Sequence, residues 1–139
     1  MNSNKWKSHI QKYNDLLIQL LESNPISFNT ESLKEILPKQ MGVYCISERK
    51  NDTFERIYVG RSKNLQKRIY RNHLIGSRRN STLRRKVDKF EKHSDEDSIS
   101  NYLREQCVTQ FIVFDDKDKL ERNFFEHFAI AALRPKFND

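Results

Sequence analysis

The sequence predicts an α+β fold: a small three-stranded antiparallel sheet flanked by helices, with an N-terminal helical extension. Two apolar segments, 41–47 (MGVYCIS) and 54–59 (FERIYV), are joined by a short polar connection, which is the pattern of a hairpin. A third apolar segment, 107–114 (CVTQFIVF), follows only after a long helical stretch. Runs with apolar residues at three- and four-residue steps surround these strands, so helices must cover the sheet.

Each element has its own signal. Trp6, Ile10, Tyr13, Leu17 and Leu20, joined by Leu16 and Leu21, place an amphipathic helix over 4–23, and Asn24-Pro25 stops it. A short second helix is capped by Asn29 or Thr30, carries Leu33, Ile36 and Leu37, and ends at Pro38. Residues 1–38 are thus the helical extension and 39–139 the main domain. Arg49 to Thr53 is a polar turn, and Gly60 marks a sharp exit from the second strand. Ser62 caps a helix to about residue 73 and Ser81 another to about 91. His93 to Ser98 reads as a loop before a short helix ending near Glu105. The last helix runs from about Asp118 to Leu133 and stops at Pro135.

Composition narrows the classes. The chain has 139 residues, 36% hydrophobic, with only 3 Gly and 3 Pro, which excludes collagen, low-complexity linkers and long disorder. No apolar run approaches the roughly 20 residues that span a bilayer, and no secretory leader is evident, so a cytoplasmic protein without a membrane partner is expected. Cys45 and Cys107 lie in apolar segments without a CxxC, which predicts two buried thiols.

The net charge of +7 is uneven. From Arg61 to Lys92 there are 12 Lys and Arg against Asp88 and Glu91, while the remainder of the chain is slightly acidic. A compact basic face on an acidic body points to a polyanion. Neither a Walker loop nor a GxGxxG motif is present, and the element order is not that of a doubly wound nucleotide fold.

Three places carry chemistry. The helix 118–133 is apolar over most of its circumference, and Glu126 sits among Phe124, Phe125 and Phe128. A carboxylate there is paired, metal-bound or on a narrow polar strip with Arg122. Tyr44 and Tyr58 lie on the two hairpin strands, where tyrosine is also a common core residue. Arg68 follows on the first basic helix, whose capped start beside Gly60 suits a phosphate.

Gly42-Val43-Tyr44 and Tyr58-Val59-Gly60 resemble the paired signature of the GIY-YIG nucleases. The stretch from Tyr58 to Arg68 is similar to that family's second segment, as in the nuclease domain of the bacterial excision-repair protein. Glu126-His127-Phe128 and Pro135-Lys136-Phe137-Asn138 resemble its closing motif. The resemblance covers about residues 41–138. It implies a phosphodiester hydrolase in which Glu126 is the protein ligand of Mg²⁺ or Mn²⁺. Arg68 would offset charge on the scissile phosphate, Tyr44 or Tyr58 would act on the attacking water, and Asn138 would close the site near the metal. A free tyrosine has a pKa of ~10, so a base role needs help.

One position departs from the pattern. Where the family carries His or Tyr four residues after its arginine, this chain has Asn72, and His73 follows. One residue turns a side chain by about 100° around an α-helix, so His73 reaches the site only if the helix is distorted. Asn72 and Tyr70 are the alternatives.

The basic segment then gains a purpose. Arg61, Lys63, Lys67, Arg71, Arg78, Arg79, Arg84, Arg85 and Lys86 are expected to track phosphates rather than read bases. The expected function is metal-dependent endonucleolytic cleavage of duplex or single-stranded DNA, of a restriction type or selective for strand or structure, with roles in restriction or DNA repair. The alternatives are a catalytically inactive nucleic-acid-binding module and an RNA-directed nuclease. The chain ends one residue after Asn138, so selectivity is expected from the N-terminal helices and a loop-rich 74–106 insert. A homodimer is expected for a double-strand cut, and the Trp6/Ile10/Tyr13/Leu17 stripe either forms its surface or covers the domain's own core.

Overall fold

The computed structural model describes residues 4–91 and 95–138. Its elements are α1 (Lys5–Glu22), β1 (Ile26–Ser27), α2 (Leu33–Ile36), β2 (Gly42–Lys50), β3 (Thr53–Ser62), a π-helix (Lys67–Leu74), α3 (Thr82–Glu91), α4 (Glu96–Gln106), β4 (Cys107–Val113) and α5 (Lys119–Leu133). The sheet is antiparallel in the order β1-β4-β2-β3. It has four strands, one more than the sequence suggests. The extra strand is the two-residue β1, too short for any periodicity to announce it, and it pairs Ile26 with Thr109 and Ser27 with Val108. The first 38 residues therefore also feed the sheet. Gln110 fastens them, donating to the carbonyls of Leu21 and Ser23 at 3.0 and 2.8 Å.

Alternation along β2 sorts the core into two layers. Val43 and Cys45 face α1 and α5, together with Val59, Ile112, Leu17, Leu20, Phe125 and Ala129. Tyr44 and Ile46 face the other helices, with Leu65, Ile69, Leu83, Val87 and Leu103. Of the stripe on α1, Leu17 is buried over the sheet, whereas Trp6 and Ile10 stay exposed. Cys45 and Cys107 are buried free thiols, as their apolar segments predict.

The hairpin turns on Asn51, whose φ of 54° is a conformation that asparagine tolerates better than most residues. Register shifts between Ile46 and Ser47, which pair with Tyr58 and Arg56, so Ile57 is an extra residue on β3. The bulge leaves both Ile57 and Tyr58 on the Tyr44 side, while Val59 returns to the α5 side.

β3 is an edge strand, and the C-terminal segment covers it. Lys136 and Phe137 donate their backbone N–H groups to the carbonyls of Arg56 and Ile57 at 3.1 and 2.8 Å. Phe137 is buried in the core.

Several boundaries differ from expectation. Gly60 lies inside β3 rather than at its exit. Asn64, not Ser62, caps the helix that follows: its Oδ1 accepts from the Lys67 N–H at 3.0 Å. Residues 92–94, including His93 of the expected loop, lie outside the described residues. Beyond them α4 already begins at Glu96, where the Asp95 side chain accepts from Ser98 N–H. The described residues of 74–106 are thus largely helical rather than loop-rich.

Candidate active site

Tyr44 projects from β2 into the layer beneath the π-helix and is buried. Its hydroxyl lies 2.6 Å from Nε2 of His73, and Nδ1 of the same ring lies 2.7 Å from Ser81 Oγ. Tyr58 completes a triangle of rings. The centroids are 6.2 Å apart for Tyr44–Tyr58 and 5.5 Å for each tyrosine with His73.

Gly60 permits this arrangement. It is the cross-strand neighbour of Tyr44, and a Cβ there would lie 2.6 Å from Tyr44 Cζ. The glycine of the second signature segment is the floor on which the phenol rests.

His73 reaches Tyr44 because its helix is π-wound. The Ile75 N–H donates to the Tyr70 carbonyl five residues back, at 3.1 Å. In such winding, position i+5 comes nearly to where i+4 stands in an α-helix. His73, five residues after Arg68, thereby occupies the angular place that Asn72 would take in regular winding. Asn72 instead lines the groove beside Arg68.

Burial sets the protonation states, and neighbouring charges adjust them. Burial, then the positive charges of Arg68 and Arg84, pull His73 from its ordinary value down to about 3, so the ring is neutral at pH 7. A neutral imidazole accepts at one nitrogen and donates at the other. Burial pushes the Tyr44 phenol well above its usual value, with further raising by Tyr58 and Glu126 and an opposing pull from Arg68. Tyr58 is raised too, chiefly by burial and also by Glu126, and is lowered by Arg68, by a Thr82 hydrogen bond and by Arg85. Both phenols therefore feel Arg68 and Glu126.

Glu126 is not an isolated carboxylate. Its side chain is 14% exposed, and its Oε1 accepts from Arg61 Nη1 at 3.1 Å. Arg61, expected to track phosphates, is first of all the counter-ion of Glu126. Among the described residues no three His, Cys, Asp or Glu side chains gather as a metal cluster. The oxygen donor of Glu126 fits a hydrated hard cation held by one carboxylate, and does not fit a dehydrated structural site.

A groove of about 530 Å³ opens beside these groups, lined by Arg61, Lys63, Lys67, Arg68, Asn72 and Arg122 among others. Of the remaining expected phosphate contacts, Arg71, Arg79 and Arg85 are exposed. Lys86 stacks over Phe90, and Arg78 pairs with Asp88 and Glu96. Arg84 is a correction: its side chain is fully buried and paired with Glu96 at 3.0 Å. It also donates to the carbonyls of His73 and Leu74, both at 2.9 Å. A cation on the last carbonyls of a helix offsets its dipole, so Arg84 anchors the end of the π-helix that carries His73. Its place between Leu83 and Val87 on an apolar helix face is the available signal.

Asn138 is fastened to the second signature strand. Its amide clamps the backbone of Val59, between Tyr58 and Gly60, accepting from N–H at 2.8 Å and donating to C=O at 2.9 Å. Ser81 and Arg122 are site residues that the sequence does not disclose. Serine at a helix start reads as a cap, a role Ser81 also fills by accepting from the Arg84 N–H. Arg122 stands out in the sequence only as a neighbour on the Glu126 strip.

The family described as the GIY-YIG catalytic domain matches residues 40–135. The chain belongs to the GIY-YIG family and carries its catalytic domain, that of a phosphodiester-hydrolysing endonuclease. No curated protein matches the chain at a significant level. Among solved structures it is similar to the N-terminal GIY-YIG endonuclease domain of UvrC from Thermotoga maritima. A tyrosine point mutant of that domain, bound to its catalytic divalent cation, is 21% identical with a TM-score of 0.49, covering 79% of this chain and 98% of that one. The form bound to magnesium is 21% identical with a TM-score of 0.43, covering 79% and 99%. No helix of the described residues is long and apolar enough to cross a membrane.

Proposed function

We propose that this chain is a divalent-cation-dependent endonuclease that cuts DNA one strand at a time, using Tyr44, Tyr58, Arg68, His73 and Glu126. The observation that carries this reading is the buried Tyr44–His73 hydrogen bond of 2.6 Å, with the charges of Arg68 and Glu126 both within electrostatic reach of the two phenols.

Glu126 would hold Mg²⁺ or Mn²⁺, which when bound supplies Lewis acidity and a water of lowered pKa. Arg68 donates to the non-bridging oxygens of the scissile phosphate and offsets the charge that grows there. Tyr44 gives its hydroxyl proton to the neutral His73 ring while accepting one from the attacking water. This is a relay, because burial keeps the phenol from ionising by itself. A phosphate bound at Arg68 cancels one of the charges that depress the imidazole, so substrate binding raises the proton affinity of His73. Ser81 fixes the ring from its other side. Tyr58 borders the same space and positions the water. Lys63, Lys67, Arg71 and Arg79 track neighbouring phosphates from the exposed rim. A monomer of such an enzyme nicks, and a restriction-type double-strand break needs two copies.

The test is incubation of supercoiled plasmid, single-stranded circle and branched DNA with Mg²⁺, with and without chelator. Wild type should cut at least one substrate only with metal, and Glu126→Gln should slow cleavage on the order of 10²–10³-fold. Discrete linear fragments from plasmid would indicate paired cutting, and cleavage of the circle or branched form alone a strand or structure preference. Tight DNA retention with no cleavage by wild type, or cleavage confined to RNA, overturns the reading.

A further inference from the structure

The groove beside Glu126 has a cation that the hydrolytic mechanism leaves unused. Arg122 lies one helical turn before Glu126 on α5, so both project toward the same side. It is only 4% exposed, yet it lines the groove with Arg61, Lys63, Lys67 and Arg68. Its Nε and Nη2 both donate to Asn123 Oδ1, at 3.1 and 2.8 Å, which fixes the plane of the guanidinium. Its Nη1 is buried and has no hydrogen-bond partner. The nearby carboxylate, Glu126, already accepts from Arg61.

Buried charges without a counter-ion are costly and are kept where something else supplies the opposite charge. The groove lining is basic or neutral, and the one carboxylate that acts on Arg122, Glu126, is already paired with Arg61, so a full counter-charge has to come from outside the chain. The planar fork of a guanidinium suits phosphate oxygens, and clamping by Asn123 lowers the ordering cost of binding one.

We propose that Arg122 is a second phosphate-binding residue, which takes a backbone phosphate flanking the scissile one through the floor of this groove. Arg61, which is partly exposed and whose charge acts on Arg122, is held on Glu126 in the free enzyme. When Arg61 turns from Glu126 toward the strand, Nη1 comes within reach of a phosphate oxygen, and the Glu126 carboxylate is released at the same moment. The inference rests on the DNA-cutting reading above and adds the register of the strand in the groove.

The test uses full-length protein and short duplexes carrying a single neutral methylphosphonate at successive positions around the cut, in Ca²⁺ to hold cleavage off. Wild type should lose affinity roughly tenfold at one flanking position, the loss typical of a charge-assisted hydrogen bond. In Arg122→Gln that penalty should vanish while the penalty at the scissile phosphate persists. The slope of log K against log salt should fall by about 0.9. Thermal melting should show the variant as stable as wild type, since it removes a buried charge that has no hydrogen-bonded counter-ion. If it does not fold, Arg122→Lys carries the same scan, with the penalty at that position expected to shrink several-fold. An unchanged methylphosphonate profile and salt slope in a variant that still cuts unmodified DNA overturns this inference alone. Failure of wild type to bind or cut any DNA overturns it together with the function on which it rests.

Discussion

The hydroxyl of Tyr44 and Nε2 of His73 are 2.6 Å apart although 29 residues separate them, and the contact exists because the helix bearing the histidine is π-wound. The extra residue between Arg68 and His73 is absorbed in the winding. Deleting Asn72 should therefore convert the segment to regular α-helix and return the histidine to the fourth place after Arg68. Cleavage should stay within about tenfold of wild type, whereas inserting a residue at the same point should abolish it. Cleavage assays on both variants check this, and a dead deletion variant with a native fold would refute it.

His73 makes stability depend on pH. Its pKa is about 3 in the folded protein against 6.5 for the free side chain. Between these values the unfolded chain binds a proton that the native one does not, so unfolding becomes easier as pH falls from about 6.5 toward 3. The loss should reach a few kcal/mol, since every tenfold change in proton affinity is worth about 1.4 kcal/mol. Urea titrations of wild type and His73→Gln from pH 7 to 4 should show a steeper decline in wild type. Equal slopes would mean that the buried imidazole is not the titrating group.

Gly60→Ala should damage the site more than the fold. The new methyl meets the Tyr44 ring, which must move off His73. Overpacking of this kind costs about 1–3 kcal/mol, while a displaced catalytic group of about 1 Å costs on the order of 10²-fold in rate. Thermal melts and single-turnover cleavage separate the two effects, and a fully active G60A variant would contradict the relay.

Asn138→Ala tests the clamp. It deprives both the N–H and the C=O of the buried Val59 of their side-chain partner, a loss of about 2–4 kcal/mol. The Mg²⁺ concentration needed for half-maximal cleavage should not change. A higher metal requirement at unchanged stability would assign Asn138 to the metal side after all.

Much of this protein could be read from its residues alone. The short polar connection between MGVYCIS and FERIYV announces a hairpin, because two apolar runs joined so closely can pair only antiparallel. The glycines, tyrosines, Arg68 and Glu126 are legible only together, through the resemblance of their order and spacing to the GIY-YIG motifs. What tertiary structure decided are the partners. The side chain of Asn138 meets a backbone 79 residues away, Arg84 is drawn into a buried network with Glu96, and β1 becomes a strand only because β4 offers it an edge. Periodicity and propensity act within a turn or two of chain, whereas ion pairs, orphaned donors and two-residue strands are settled by groups that meet only once the chain has folded.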